Sequence, residues 1–450
     1  MASSPSGESR TSCLLNAALT GNLKLLTKLA EELDYGDGLA KTFMDVKDSG
    51  GRSALHFAAA GGKTHVCKYL VQELKLNVNL KDGIGDTPLN HATIGQHYQT
   101  AVFLVENGAN PNMANDKGFI ALHYAAEKGH KEFLRLLISK GAEVDAKSDS
   151  GTPLQCAAAK GRKEAVKILL DRNANPNSVC HHIFTPLVVS ILAGSFECTS
   201  LLLKAGANPN LGSRGQTPLT IAVCEGETEV IKCLLKAGAN LNVTNLDGLT
   251  ALELAALHGN HELVMMLLPR TSQIPTILDW SFAGIIKYVH SEEFRRQREQ
   301  NRKESFLLSK SKGEEAFKRK DYMDAIFWYT QAITVDPLDA TVLSNRSLCW
   351  ARLNEGSPAL SDAEACIMLR PDWAKAHYRE GVAWRLLKNF PRAAEAFCDA
   401  LKLDPDNEEL QIAFRRKLLE LSLEFQWERM LKSCASSDNI SWFGVWEASF

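Results

Sequence analysis

The chain has 450 residues, 45% of them hydrophobic and 23% charged, so it is long enough for two to four domains and has the composition of folded protein. With 51 basic against 53 acidic residues the net charge is -2, which excludes the lysine and arginine excess that general nucleic-acid and membrane-surface binders need. No stretch approaches the roughly 20 apolar residues of a bilayer span, and the opening MASSPSGESRTS lacks an apolar run, so neither membrane insertion nor secretion is expected.

Residues 1–10 are expected to be disordered. From Leu14 to Leu268 one pattern recurs: SALHFAAAGG at Ser53, TPLNHATIGQ at Thr87, IALHYAAEKG at Ile120, TPLQCAAAKG at Thr152, TPLVVSILAG at Thr185, TPLTIAVCEG at Thr217 and TALELAALHG at Thr250. The successive spacings are 34, 33, 32, 33, 32 and 33, and a weaker unit, LLNAALTGN at Leu14, fits the same frame and makes eight. Each unit reads as a helix pair. Threonine caps the free amides of the first helix and proline fits its first turn. Alanine pairs allow close packing, and the second helices, as in FLRLLISKG and VIKCLLKAG, carry an apolar face and stop at glycine. A period near 33 with a TPLH-type turn resembles the ankyrin repeat. That resemblance implies a stacked array over residues 11–268 whose loops and first helices bind another protein, one the sequence does not identify.

Two histidine positions in this array invite a chemical reading. His56 and His123 occupy the last place of the TPLH turn, where a hydrogen bond inside the turn is expected. Cys180, His181 and His182 are metal-ligand types, but they are consecutive and no second pair follows at ligand spacing, so no metal is expected there.

Residues 269–304 are expected to form a helical linker. PRTSQIPTILDW breaks the pattern with prolines, then SFAGIIKYVHSEEF places Ile285, Ile286 and Val289 on or near one helical face, a helix suited to closing the array. Residues 291–304 hold five basic and four acidic side chains, the mixture of a solvated helical connector.

From about 305 to 407 the period becomes 34: Ala325, Ala359 and Ala393; Gly313, Ser347 and Gly381; Pro337, Pro371 and Pro405. The small residues let paired helices approach, and each proline marks where a second helix stops. GEEAFKRKDYMDAIFWYTQAITVDP, SLCWARLNEGSPALSDAEACIMLRP and GVAWRLLKNFPRAAEAFCDALKLDP resemble three tetratricopeptide repeats. Residues 408–432 are expected to be their capping helix, and 433–450 an aromatic tail carrying Trp442, Phe443, Trp446 and Phe450. The whole is expected to be all-α, two helical solenoids in series, resembling plant proteins that join ankyrin to tetratricopeptide repeats.

SNRS and PDWAKAHYR also resemble the tetratricopeptide co-chaperones that hold the C-terminal Glu-Glu-Val-Asp of heat-shock chaperones in a carboxylate clamp. The resemblance implies that Lys310, Asn345, Lys375 and Arg379 hold the peptide's carboxylates, with a chaperone of the seventy- or ninety-kilodalton class as partner. Charge-assisted hydrogen bonds of that kind contribute about 1.5 to 3 kcal/mol each. The residue after Gly313 departs from the pattern: family members place Asn there, and this chain has Glu314, which would repel the ligand unless paired with Lys310 or Arg379. The competing reading is a general scaffold binding unrelated peptides.

The eleven cysteines are odd in number and form no CxxC pair, and Cys156, Cys224 and Cys366 fall where small buried residues belong. They read as reduced, which implies cytoplasm or nucleus. No phosphate-binding loop, HExxH, GxSxG or kinase motif is present, so neither catalysis nor a cofactor is expected.

Overall fold

The structure is a computed structural model that describes residues 7–180, 184–212 and 217–405. His181 and His182, the expected helix at 408–432 and the aromatic tail lie outside the described residues. Among the described residues the fold is all-helical, with isolated bridges such as Lys47 to Ser53 and Cys180 to Phe184 in the loops between repeats. The chain divides into two compact units between Arg295 and Arg296.

The first unit comprises α1 (Gly7–Thr20), α2 (Leu23–Leu33), α3 (Leu39–Asp45), α4 (Ala54–Ala60), α5 (Thr64–Lys68), α6 (Pro88–Ile94), α7 (Tyr98–Glu106), α8 (Ala121–Lys128) and α9 (Lys131–Ser139). It continues with α10 (Pro153–Ala159), α11 (Lys163–Leu170), α12 (Pro186–Leu192), α13 (Phe196–Lys204), α14 (Pro218–Glu225), α15 (Thr228–Lys236), α16 (Ala251–Leu257), α17 (His261–Leu267) and α18 (Phe282–Val289). The leucine of each repeated turn (Leu55, Leu89, Leu122, Leu154, Leu187, Leu219 and Leu252) is at most 1% exposed, so each contributes about 1.5–3 kcal/mol of burial. Thr87, Thr152, Thr185, Thr217 and Thr250 each accept the backbone N–H three residues on, at 3.1 to 3.4 Å, the capping that the sequence predicts.

Both turn histidines are structural. His56 Nδ1 accepts the Ser53 amide at 3.1 Å while its Nε2 faces Leu80 O at 3.2 Å. His123 Nδ1 accepts the Ile120 amide at 3.1 Å, and its Nε2 lies 3.1 Å from both Ala146 O and Gly151 O. Burial holds each imidazole neutral, with a pKa lowered to about 4.

A second polar row ties the loops together. Asn79 donates its amide to Gly108 O and accepts from Asn110 N, and Asn112, Asn177 and Asn210 repeat this pair of bonds one repeat further each time. Asp145 occupies the same place in the intervening repeat. Its carboxylate accepts from Asn175 N at 3.1 Å but has no N–H to donate. In the next repeat Asn173, four residues before Asn177, replaces the usual glycine in a left-handed conformation with φ of 60°.

Three helices differ from the sequence reading. Helix α1 begins at Gly7, inside the stretch expected to be disordered, because nothing between Gly7 and the buried Leu14 breaks a helix. Helix α3 is an addition that buries Phe43 edge-on to Tyr69. The expected helix at 281–294 breaks at His290 and Ser291, where the Ser291 hydroxyl caps the next helix by accepting from Phe294 N. Ile285, Val289 and Phe294 are buried all the same.

Cys224 corrects an expectation. Cys156 and Cys366 are buried, but Cys224 is exposed, because it lies one turn beyond Ile221 in the helical row that also leaves Ile94 and Leu192 uncovered.

The spacing of 34 between the first two full repeats, longer than any other in the array, also has a local cause. After α5 the chain makes a π-helical turn, Tyr69–Glu73, closed by Leu74 N to Tyr69 O at 3.1 Å. That wider turn absorbs the extra residue and leaves Leu70 and Leu76 buried in their places.

The second unit contains most of α19 (Glu292–Lys318), then α20 (Tyr322–Val335), α21 (Ala340–Arg352), α22 (Gly356–Leu369), α23 (Ala374–Leu386) and α24 (Phe390–Leu403). Helices α20, α22 and α24 each end two residues before Pro337, Pro371 and Pro405, and Ala325, Ala359 and Ala393 are each 0% exposed. The small residues have a visible purpose. A Cβ on Gly313 would stand 2.6 Å from the Tyr329 ring, and one on Gly381 would stand 2.6 Å from the Phe397 ring. Where the small residue is Ser347, the partner sixteen residues on is Ala363, and the Ser347 hydroxyl donates to Ala359 O at 2.7 Å. Large against absent and small against small keep the pairs equally close.

Candidate functional site

The polar residues that the sequence singles out lie on α19, α21 and α23. Lys310 and Glu314 are one turn apart on α19, and Lys375 and Arg379 one turn apart on α23, so each pair shares a helical face. Asn345 and Cys349 share a face of α21 in the same way.

One buried node connects these helices. Tyr329, on α20, is within electrostatic range of Glu314 and Cys349 and interacts with the Asn345 side chain, and burial raises its phenol above the ordinary value. Arg379 is in turn within range of Cys349, Cys366 and Arg352. The structure therefore brings Glu314, Asn345 and Arg379 to one region, built around Tyr329 and Cys349. Burial pushes the Cys349 and Cys366 thiols up to about 12, which leaves them neutral and unreactive.

Arg379 is the unusual member. It is only 9% exposed, its Nε lies buried without a hydrogen-bond partner, and among the described residues no carboxylate pairs with it. Its guanidinium sits 6.0 Å from the Tyr378 ring centroid, and burial depresses its pKa, with Arg352 adding to the effect. A buried cation is ordinarily paired, because stripping it of water costs several kcal/mol. Its place on α23, packed against α21 and α22 and two residues before the tightly packed Gly381, buries it. Lys375 is exposed.

Lys310 is already engaged. Its Nζ lies 3.0 Å from Asp339 Oδ2, and Asp339 caps α21 by accepting from Thr341 N at 2.8 Å and Val342 N at 3.0 Å. Lys310 and those two amides hold the Asp339 carboxyl below its usual pKa, outweighing its burial. Glu314 is exposed and makes no ion pair with a described residue, Lys310 and Arg379 included.

Arg346, inside the SNRS motif, went unassigned in the sequence reading. Its Nε and Nη2 reach the buried Asp362 carboxylate at 2.8 and 2.6 Å, and its Nη1 donates to Thr330 at 3.0 Å, so one side chain on α21 fastens α20 and α22. Its sequence signal was Asp362 of SDAEAC, an acid at a position of α22 that otherwise calls for a core residue. Among the described residues no three metal-ligating side chains come together and no helix is long and apolar enough to cross a membrane.

Comparison with known families fits this division. The model for ankyrin repeats (3 copies) matches residues 14–115, 103–180, 122–213 and 187–277, which together cover more than half of the chain. The model for serine/threonine-protein kinase BSK1-like TPR repeats matches residues 287–381. In the tetratricopeptide region the chain is 40% identical over 107 residues to the Hsp70-Hsp90 organizing protein of Triticum aestivum, covering 24% of this chain and 18% of that one. It is 43% identical over 101 residues to the heat shock protein sti1 homolog of Schizosaccharomyces pombe, covering 22% of this chain and 17% of that one. It is 41% identical over 113 residues to Hsp70-Hsp90 organizing protein 2 of Arabidopsis thaliana, covering 25% and 20%. The chain thus spans about a fifth of the length of these curated relatives. Among solved structures, the human ASB11 ankyrin repeat domain aligns at 33% identity over 50% of this chain and all of that one, with a TM-score of 0.44. Both matching family models describe repeats of kinds that bind proteins.

Proposed function

The chain belongs to the ankyrin-repeat proteins and continues into tetratricopeptide repeats, and from that premise we propose that it is a co-chaperone-like adaptor. Its second unit holds the C-terminal carboxylate tail of a heat-shock chaperone, and its ankyrin array holds a client or a localising partner in the cytoplasm or nucleus. Lys375 and Arg379 are the principal carboxylate ligands, Asn345 adds an amide, and residues 269–304 link the arrays. The observation that carries this reading is Arg379: a buried guanidinium without an acidic partner among the described residues has a charge to satisfy, and a carboxylate satisfies it bidentately.

Titration of the full chain with chaperone C-terminal peptides, free and amidated, tests the reading. The free peptide is expected to bind and the amidated one to lose binding. Lys375→Ala or Arg379→Ala is expected to weaken binding by roughly ten- to hundredfold. Unchanged titration curves in both variants would remove the clamp.

Two observations favour the second reading, a scaffold indifferent to chaperone tails. Lys310 is held by Asp339, and Glu314 replaces the asparagine of the clamp pattern. Under the clamp reading Glu314→Asn tightens the acidic tail by about tenfold at low salt, and the gain shrinks as salt rises. Under the scaffold reading it changes nothing.

A further inference from the structure

The same face carries opposite charge at its two ends. At the end formed by the first repeat, one ammonium meets two carboxylates: Lys310 is bound to Asp339 at 3.0 Å, and Glu314 stands exposed one turn away without an ion pair to a described residue. Asp339 cannot readily swing aside to release Lys310 to a ligand, because its other oxygen accepts the Thr341 and Val342 amides at the start of α21. At the end formed by the third repeat, Lys375 and Arg379 share a face of α23, and Arg352 lies within electrostatic range of Arg379. Glu380, the acid of α23, accepts from Trp384 Nε1 at 3.2 Å and lies 4.0 Å from His377. Asn345, neutral, stands between the ends.

We propose that this face selects a peptide of mixed charge, with its terminal carboxylate at Lys375 and Arg379 and a basic side chain, upstream in the same peptide, against Glu314. The proposal rests on the carboxylate reading above and refines its ligand. A uniformly acidic tail satisfies the third-repeat end and is repelled at the first. A tail with one lysine or arginine a few residues before its terminus satisfies both, since charge complementarity acts on partner choice more than on raw affinity. Glu314 is then a specificity-determining residue, and its departure from the clamp pattern is the device that changes the ligand.

The test scans lysine through the last six positions of a uniformly acidic hexapeptide with a free C-terminus, titrated calorimetrically into the full chain. Lysine at one or two upstream positions is expected to tighten binding by about tenfold over the all-acidic peptide. Glu314→Gln, an exposed substitution that spares the fold, is expected to erase that preference and to tighten the all-acidic peptide. An all-acidic peptide that binds at least as tightly as every lysine variant overturns the proposal while leaving the carboxylate reading intact. A lysine preference that survives Glu314→Gln overturns the role of Glu314. Binding that ignores amidation of every peptide overturns the carboxylate reading and this proposal with it.

Discussion

The two repeat units meet the same stacking problem with different materials. In the ankyrin unit, neighbouring repeats are stitched at their loops by polar side chains, among them the turn histidines and the row from Asn79 to Asn210, and nearly every one has its partners inside the repeat frame. In the tetratricopeptide unit the stitching is mainly steric, glycine against an aromatic ring, with polar clasps such as Arg346 to Asp362 and Lys310 to Asp339. Polar groups in the first unit are therefore mostly accounted for by structure, whereas a buried polar group in the second, such as Arg379, stands out as unaccounted for. A polar residue is informative about function in proportion to how little the scaffold needs it.

The contrast can be tested from its largest expected effect downward. The turn histidines are folded as neutral groups with pKa near 4, below the ordinary 6.5, so below pH 6.5 the unfolded chain takes up protons that the folded chain refuses. Stability of the first unit should fall as pH drops from 6.5 to about 4 and level off below that. Gln155 already fills this place in one repeat, bonding Thr152 N at 2.8 Å. The double variant His56→Gln, His123→Gln should therefore retain roughly 5 kcal/mol more of its neutral-pH stability at pH 4, measured by urea unfolding at both pH values. An unchanged pH slope would show that the histidines do not carry it.

In the second unit, Asp362→Ala strands the Arg346 guanidinium and should cost about 3 kcal/mol, seen as an earlier urea midpoint in tryptophan fluorescence. Trp328, Trp350, Trp373 and Trp384 place that signal mainly in this unit. Next in size, Gly381→Ala forces its Cβ against Phe397 and should cost about 2 kcal/mol, partly recovered when Phe397→Leu is added. Full additivity in the double variant would argue against a packing origin.

The smallest effect is a gain. Asp145→Asn restores the missing donor in the loop row and should stabilise the first unit by about 0.5–1 kcal/mol, with slower hydrogen exchange at Asn175. A loss of stability would mean that the carboxylate is preferred there.

Much of this fold was legible in the sequence because repetition averages out local ambiguity: the periods of about 33 and of 34 fix the helix pairs, their caps and their stops. What escaped was aperiodic. Helix α3 belongs to no repeat, the π-helical turn follows from one extra residue, and Cys224 shares its repeat position with Ile94 and Leu192, a row that only the packed structure reveals as open. The candidate site was legible as a set of residue types at matched spacing. Its electrostatics were not, because the partner of Lys310 is Asp339, 29 residues away, and the burial of Arg379 depends on how three helices meet.

The π-helical turn at Tyr69–Glu73 has a consequence for how such arrays change length. Repeats further along the stack depend on the phase in which each helix pair leaves its predecessor, and a helix that can widen for one turn decouples residue count from phase. The first full repeat thus holds one residue of slack. Removing a single residue there, Gln72 for instance, should tighten the turn to ordinary α-helix and leave every later repeat in place, whereas the same deletion in α9 or α11, which have no such turn, should propagate as a packing fault.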